Sequence, residues 1–446
     1  MSFTSTFFLT GLLPGLILLF YIFRKNPTIR QVLLFMANLA LYLVGGGTRT
    51  LFLLLAICVL TWLFCRLCAK YHRKGLLLTC CMILLIPLIL FKYTDIVSEL
   101  FIVVGISFFT FEAISCLCDV YWGKTGGAPS LTEILTYLSF FPTVTSGPIV
   151  RIKNFKEGMK NTLCLEDFQQ GSILLVKGLC KKILLADKLT PLVSYYFDGV
   201  AAGNMFSLPG LWIGSFAYTL QLYFDFSGYS DIAIGISRML GYHIPLNFQK
   251  PYQAKSIQDF WRRWHISLST WFRDYVYIPL GGSRCSIAKQ LRNLFVVWSL
   301  TGIWHGADLT FLIWGMGYFL LLIAEKYVPQ IRRIGEKWYG HLYALFWVNL
   351  LWVPFRAQNL YTFVRYLKGM FGISSGGTSL EEKGMRFVPF LVFCILLCTP
   401  WQNVVDKYRE LWWFKVMRGI LIIGAAYLAI CAVINSSYAP YIYGNF

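Results

Sequence analysis

Residues 31–64 read QVLLFMANLALYLVGGGTRTLFLLLAICVLTWLF. Two largely apolar runs, Gln31–Val44 and Leu51–Phe64, flank the triplet Gly45-Gly46-Gly47. A strand of a membrane barrel alternates apolar and polar residues, and these runs do not. Backbone groups in lipid must bond within their own segment, so continuous apolar runs mean helices. The glycines between them predict a tight helical hairpin. Both flanks are basic: Arg24, Lys25 and Arg30 precede the hairpin, and Arg66, Lys70, Arg73 and Lys74 follow it. The positive-inside bias then puts both flanks in the cytoplasm.

Working outward, apolar runs recur at Phe7–Phe23, Leu76–Leu90, Ile96–Val120, Phe168–Leu184, Leu208–Phe224, Tyr229–Leu240, Leu294–Ile303, Leu309–Ala324, His341–Val353, Phe387–Leu397 and Ile420–Ile434. Leu135–Val150 is broken by Pro142 and Gly147-Pro148, which predicts a bent or re-entrant element. The expectation is an all-α polytopic membrane protein with about eleven transmembrane helices, plus re-entrant or interfacial helices, around a central tunnel. Composition agrees: of 446 residues 57% are hydrophobic and 14% charged, against roughly 25% charged in soluble domains. No composition shift marks a second domain, so residues 1–446 read as one membrane-embedded unit.

Forty Lys and Arg against 21 Asp and Glu give a formal charge of +19. Positive-inside topology and attraction to anionic headgroups account for much of it. A basic mouth would also draw in an anionic substrate. The cations are scattered between spans and form no arm or stripe, which argues against nucleic acid as a partner. The 13 cysteines sit mostly in apolar runs and read as small packing residues.

The stretch Gly241–Arg284 differs from its neighbours. Lys250, Lys255, Arg262, Arg263, Arg273 and Arg284 are interleaved with aromatics. It is too charged to cross lipid and too apolar for an ordinary loop, so it reads as an interfacial or re-entrant amphipathic helix. Trp261, Trp264 and Trp271 suit a headgroup boundary. Two histidines, His265 and His305, stand 40 residues apart in this aromatic region. An ionisable group at membrane depth is costly and marks a functional site.

The run QLYFDFSGYSDIAIGISRMLGYHIPLNFQKPYQAKSIQDFWRRWHISLSTWFRDYVYIPLGG (221–282), followed by RNLFVVWSLTGIWHGA (292–307), resembles the membrane-bound O-acyltransferase family, in its bacterial polymer-modifying branch. SFFTFEAIS (107–115) and FFPTVTSGPIVR (140–151) are similar to that branch too. The resemblance is strong over residues 100–325, which it marks as the catalytic core. It implies transfer of an acyl group, acetyl above all, from a cytoplasmic thioester (acetyl-CoA or an acyl-carrier thioester) for O-acylation of a cell-surface polysaccharide. It further implies a multi-pass protein of a bacterial inner membrane working with an extracytoplasmic esterase-fold acetyltransferase. D-alanyl transfer and acyl transfer to a lipid or peptide are variants within the family. A transporter or flippase is the alternative from another class.

In this family the histidine of the WHG element, here His305, is catalytic, and His265 corresponds to its upstream polar partner. The chemistry is consistent: a hydroxyl attacking a thioester must lose its proton, and a neutral imidazole within reach accepts it. Burial favours that neutral form. Gly302 and Gly306 would leave room for substrate beside the backbone, and Trp298 and Trp304 would wall a narrow passage. Arg262, Arg263 and Arg273 would grip the donor's phosphates or contact lipid headgroups, and Trp304 would line the path of the donor's thioester arm. Asp308 reads as the N-cap of the span that begins at Leu309. Asp225 and Asp231 would pair with Arg238 or line the tunnel. The terminal Tyr443, between apolar and aromatic neighbours, is similar to the family's aromatic carboxyl-terminal signature and would relay the acyl group or anchor the chain at the interface. Two histidines without nearby carboxylates or thiols make a poor zinc site, so no metal is expected.

Overall fold

The computed structural model describes residues 5–94, 103–374, 376–377, 379–400, 406–408 and 410–435. Among them every regular element is helical. Among the described residues, four helices are long and apolar enough to cross a membrane: Pro27–Tyr71, Lys74–Tyr93, Leu309–Tyr327 and Trp412–Ile434. The chain divides into two compact units, one of residues 1–179, 228–247 and 429–446, the other of residues 180–227 and 248–428.

The first unit holds α1 (Leu13–Ile22), α2 (Pro27–Tyr71), α3 (Lys74–Tyr93), α4 (Ile106–Tyr121), α5 (Leu131–Leu138), α6 (Ile152–Lys160) and α7 (Leu165–Leu179). Helix α2 starts at an Asn26 cap, whose side chain accepts from the Ile29 amide, with Pro27 in the first turn. Its helical course breaks at Gly47 (φ 73°, ψ 178°), within the glycine triplet that the sequence marks. A capping box of Ser130 and Glu133 starts α5.

After α5 the backbone runs irregularly to Arg151, as Pro142 and Gly147-Pro148 predict. Its polar groups find buried partners, which is the condition for irregular chain away from water. Asn38 accepts from the Phe141 amide (3.1 Å) and donates to Ser139 Oγ (2.9 Å). The Glu112 carboxylate accepts from the Val150 amide (3.2 Å), and the Tyr137 hydroxyl donates to the Val150 carbonyl (2.7 Å). The motifs at 107–115 and 140–151 are therefore bonded to one another.

The second unit holds α8 (Asp187–Ala201), α9 (Leu208–Met239, of which residues 228–239 belong to the first unit), α10 (Ile257–Arg263), α11 (Ile266–Phe272), α12 (Ile287–His305), α13 (Leu309–Tyr327), α14 (Pro329–Ile334), α15 (Gly340–Arg356), α16 (Leu360–Met370), α17 (Glu382–Cys398) and most of α18 (Trp412–Asn435). The stretch 241–284 is not one amphipathic helix. It is two short helices, α10 and α11, with a turn before them at Pro251–Gln253 and a π-helical turn after them at Arg273–Tyr277.

Asp225, Asp231 and Arg238 are paired, with partners other than those expected. Lys182 lies on a π-helical turn, Cys180–Ala186, and bonds Asp225 (2.7 Å) and Asp187 (2.9 Å). Asp231 pairs with Lys177 (3.2 Å), and Arg238 with Asp167 (2.9 Å).

Helices α12 and α13 are joined by the short Gly306–Asp308 link and pack backbone to backbone. A Cβ on Gly315 would lie 2.5 Å from the Trp298 carbonyl, and one on Gly302 would lie 2.7 Å from the Phe311 carbonyl. Small residues permit such approach in membrane helices. This crossing fixes the last turn of α12, where His305 sits. Asp308 caps α13 as expected, accepting from the Thr310 amide at 2.8 Å.

Candidate active site

His305 ends α12 and is 3% exposed. Four rings surround it, with centroids at 4.6 Å (Trp304), 4.9 Å (Trp314), 4.9 Å (Phe355) and 6.4 Å (Phe311). The space beside Gly302 and Gly306 is occupied by Phe311: its ring would stand 2.4 Å from a Cβ on Gly306. These glycines therefore admit α13, not substrate, which corrects the expectation for both.

His265 is 1% exposed and occupies the junction between α10 and α11. Its backbone is left-handed (φ 43°), a conformation that a residue with a Cβ adopts at a cost of about 1 kcal/mol or more. Phe226 meets its ring edge-on at 4.7 Å and 89°. Trp304 contacts both imidazoles, its ring centroid 4.6 Å from that of His305 and 6.5 Å from that of His265. So the motifs forty residues apart in sequence meet at one indole.

A cavity of about 980 Å³ opens in the same unit, walled by α10, α11, α12 and the α13–α14 turn. Arg262, Arg273, Lys326 and Arg332 line it, with Glu325 and Glu336 as the acidic members, so cations prevail. Trp261, Trp298 and Thr301 form apolar and hydroxyl surface within it. Thr301 lies four residues before His305 on α12, which puts both on one helical face about 6 Å apart along the axis.

Of the residues expected to hold a donor, Arg262 and Arg273 face this cavity. Arg263 is not among its lining: its guanidinium is paired with Asp259 one turn earlier (2.8 Å), and its carbonyl accepts from the Gln249 amide. Trp304 is 5% exposed, packs on both histidines and is not among the residues that line the cavity. Trp264 and Trp271 are buried in protein contacts, so they do not serve as headgroup anchors, whereas Trp261 lies on the cavity wall. Tyr443 lies outside the described residues. Lys326, Arg332 and Thr301 went unread because nothing in their local pattern separates them from ordinary helix-end cations and a packing hydroxyl.

Among the described residues, no group of three or more His, Cys, Asp or Glu side chains is placed to hold a metal ion. The arrangement sets a predominantly basic cavity, suited to an anionic group, about one helical turn from an enclosed imidazole.

The family model described as MBOAT, membrane-bound O-acyltransferase family, matches residues 39–362. The chain is similar to a probable alginate O-acetylase AlgI of Pseudomonas putida, 36% identical over 382 residues that cover 79% of this chain and 76% of that protein. It is similar to a peptidoglycan O-acetyltransferase of Helicobacter pylori, with 31% identity and coverage of 100% and 97%. A teichoic acid D-alanyltransferase of Streptococcus thermophilus is 30% identical, with coverage of 73% and 83%.

Proposed function

The chain belongs to the membrane-bound O-acyltransferase family, and we propose that it moves a small acyl group, acetyl foremost, from a cytoplasmic thioester to hydroxyls of a cell-surface polysaccharide in a bacterial inner membrane. The observation that carries this reading is that His265 and His305 both pack on Trp304, with His305 one helical turn from Thr301 on the wall of a basic cavity. The names of the relatives support the acceptor class, since alginate, peptidoglycan and teichoic acid are all surface polymers.

The donor's phosphates sit against Arg262 and Arg273, where charge-assisted bonds hold them. The thioester arm runs past Thr301 toward His305. The acceptor hydroxyl attacks the thioester carbon and gives its proton to the imidazole as the C–O bond forms. The C–S bond then breaks, and the proton passes from the imidazole to the departing sulfur. His265 holds the Trp304 wall against which His305 is oriented. A dry, aromatic enclosure keeps water from hydrolysing the thioester.

In this reading residues 100–325 form the catalytic core of a single acyltransferase domain, with about eleven crossings around a central tunnel. An extracytoplasmic esterase-fold acetyltransferase completes delivery. Tyr443, if acylated on the far side, relays the group, and Tyr443→Phe then abolishes any labelled acyl-protein intermediate.

The test is reconstitution in vesicles with acetyl-labelled coenzyme A, or with a labelled acyl carrier protein, and with polysaccharide and the extracytoplasmic acetyltransferase on the opposite side. The reading expects labelled ester on the polymer. Label that crosses without any ester formed supports a transporter and removes the acyltransfer step. The donor that works distinguishes acetyl from D-alanyl transfer.

A further inference from the structure

The seven residues of α10 are too few to form a stable helix alone, yet α10 carries Trp261 and Arg262 on the cavity wall. Something outside the helix sets its position. Its first three amides are all taken by side chains. Ser256 Oγ accepts from the Asp259 amide at 3.0 Å. The other two go to Glu325, near the end of α13: Oε1 accepts from the Ile257 amide (2.5 Å) and Oε2 from the Gln258 amide (2.9 Å). The fourth amide, of Phe260, makes the first bond within the turn, to the Ser256 carbonyl (2.9 Å).

A carboxylate at this point meets the positive end of the helix and satisfies donors that a helix always leaves open. Glu325 is buried and itself lines the cavity. Its sequence neighbours reach the opposite wall. Lys326 Nζ donates to Gln290 Oε1 of α12 (2.5 Å), and the Tyr327 hydroxyl donates to the same oxygen (3.0 Å). One turn of α13 thus grips α10 on one side and α12 on the other.

We propose that Glu325 is a positioning residue of the donor site: its carboxylate pins the start of α10 and so holds Arg262 and Trp261 at the cavity wall. The proposal rests on the reading of the cavity as the donor's. Glu325 does not touch the reacting atoms. Its loss lets α10 fray and moves the cation that binds the donor, while the imidazole of His305 stays in place. The effect falls on donor KM, with kcat kept.

The experiment uses the full-length protein in lipid nanodiscs, with Glu325→Leu and Glu325→Gln. Two readouts are taken: amide hydrogen exchange across 256–263, and KM and kcat for the thioester donor. The leucine variant should exchange faster at Ile257 and Gln258 and raise donor KM by about tenfold or more, with kcat within about threefold. Glutamine keeps one acceptor oxygen and should fall between, so it carries the test if the leucine variant does not fold. A rise in KM with unchanged exchange at 257–258 overturns the proposal. So does faster exchange with unchanged KM. In that second case Arg262→Ala separates the causes: a raised KM there leaves the donor reading standing and removes only Glu325's part, whereas an unchanged KM removes the donor reading as well.

Discussion

Thr301 faces the cavity and His305, one turn further along the same face of α12, is enclosed by four aromatic rings. In the proposed reading the donor's route from this cavity to the imidazole is therefore about one helical turn long. A large side chain at position 301 should close it. Thr301→Phe is expected to lower acyl transfer by about a hundredfold, because displacing the reacting carbon by an ångström is that costly. Thr301→Val keeps the volume and gives up only the bond from its hydroxyl to the Val297 carbonyl, so it should stay within about threefold of the parent. Initial rates with a labelled donor measure both; equal rates for the two variants would place the route elsewhere.

Lys182 is 2% exposed and lies against Asp225, itself 1% exposed. Replacing Lys182 by Met strands a buried carboxylate and should cost about 3–5 kcal/mol. Thermal unfolding in detergent reads this as a large fall in Tm. The double variant Lys182→Met, Asp225→Leu should recover most of it. No recovery would assign the loss to Asp187, the lysine's second partner, or to something other than charge balance.

Gly315 allows α13 to lie against the Trp298 carbonyl. Gly315→Ala should force the two helices apart at a cost of about 1–3 kcal/mol and shift both Trp298 on the cavity wall and His305. The expected result is a lower Tm together with a fall in transfer rate. An unchanged rate with a lower Tm would separate the crossing from the site.

Asp167 gives a pH-dependent term. Burial pushes its carboxyl up, but hydrogen bonds with Cys164 and Arg238, and the His243 ring beside it, outweigh burial and hold it below the usual carboxylate range. A group with a depressed folded pKa stabilises above its unfolded value and loses that contribution as pH falls through the folded one. The gap in Tm between the parent and Asp167→Asn should be full at pH 7 and shrink below about pH 4. A gap independent of pH would assign the residue's contribution to packing.

Much of this was readable from composition and motif. Apolar runs gave the helical class, and the glycine triplet, expected to turn a tight hairpin, holds the break in α2 at Gly47. Pro142 and Gly147-Pro148 gave the irregular stretch whose backbone Asn38 and Glu112 satisfy. The Asp308 cap was legible because a cap is a local matter. Long-range pairing was not. Asp225 found Lys182 and Arg238 found Asp167, since neither choice is encoded in spacing along one helix. The role of Arg263 was misread for a related reason: a carboxylate one turn away, Asp259, captures its guanidinium. Gly302 and Gly306 read as room for substrate because a sequence shows a missing side chain and not what fills the gap, here Phe311.

The account depends on His305 accepting the proton of the attacking hydroxyl. The most direct measurement is single-turnover transfer from a labelled thioester by His305→Ala in vesicles, with donor binding measured on the same preparation. The account predicts transfer down by about a thousandfold and binding to the basic cavity little changed. Transfer within threefold of the parent, with the protein folded and the donor bound, would contradict it.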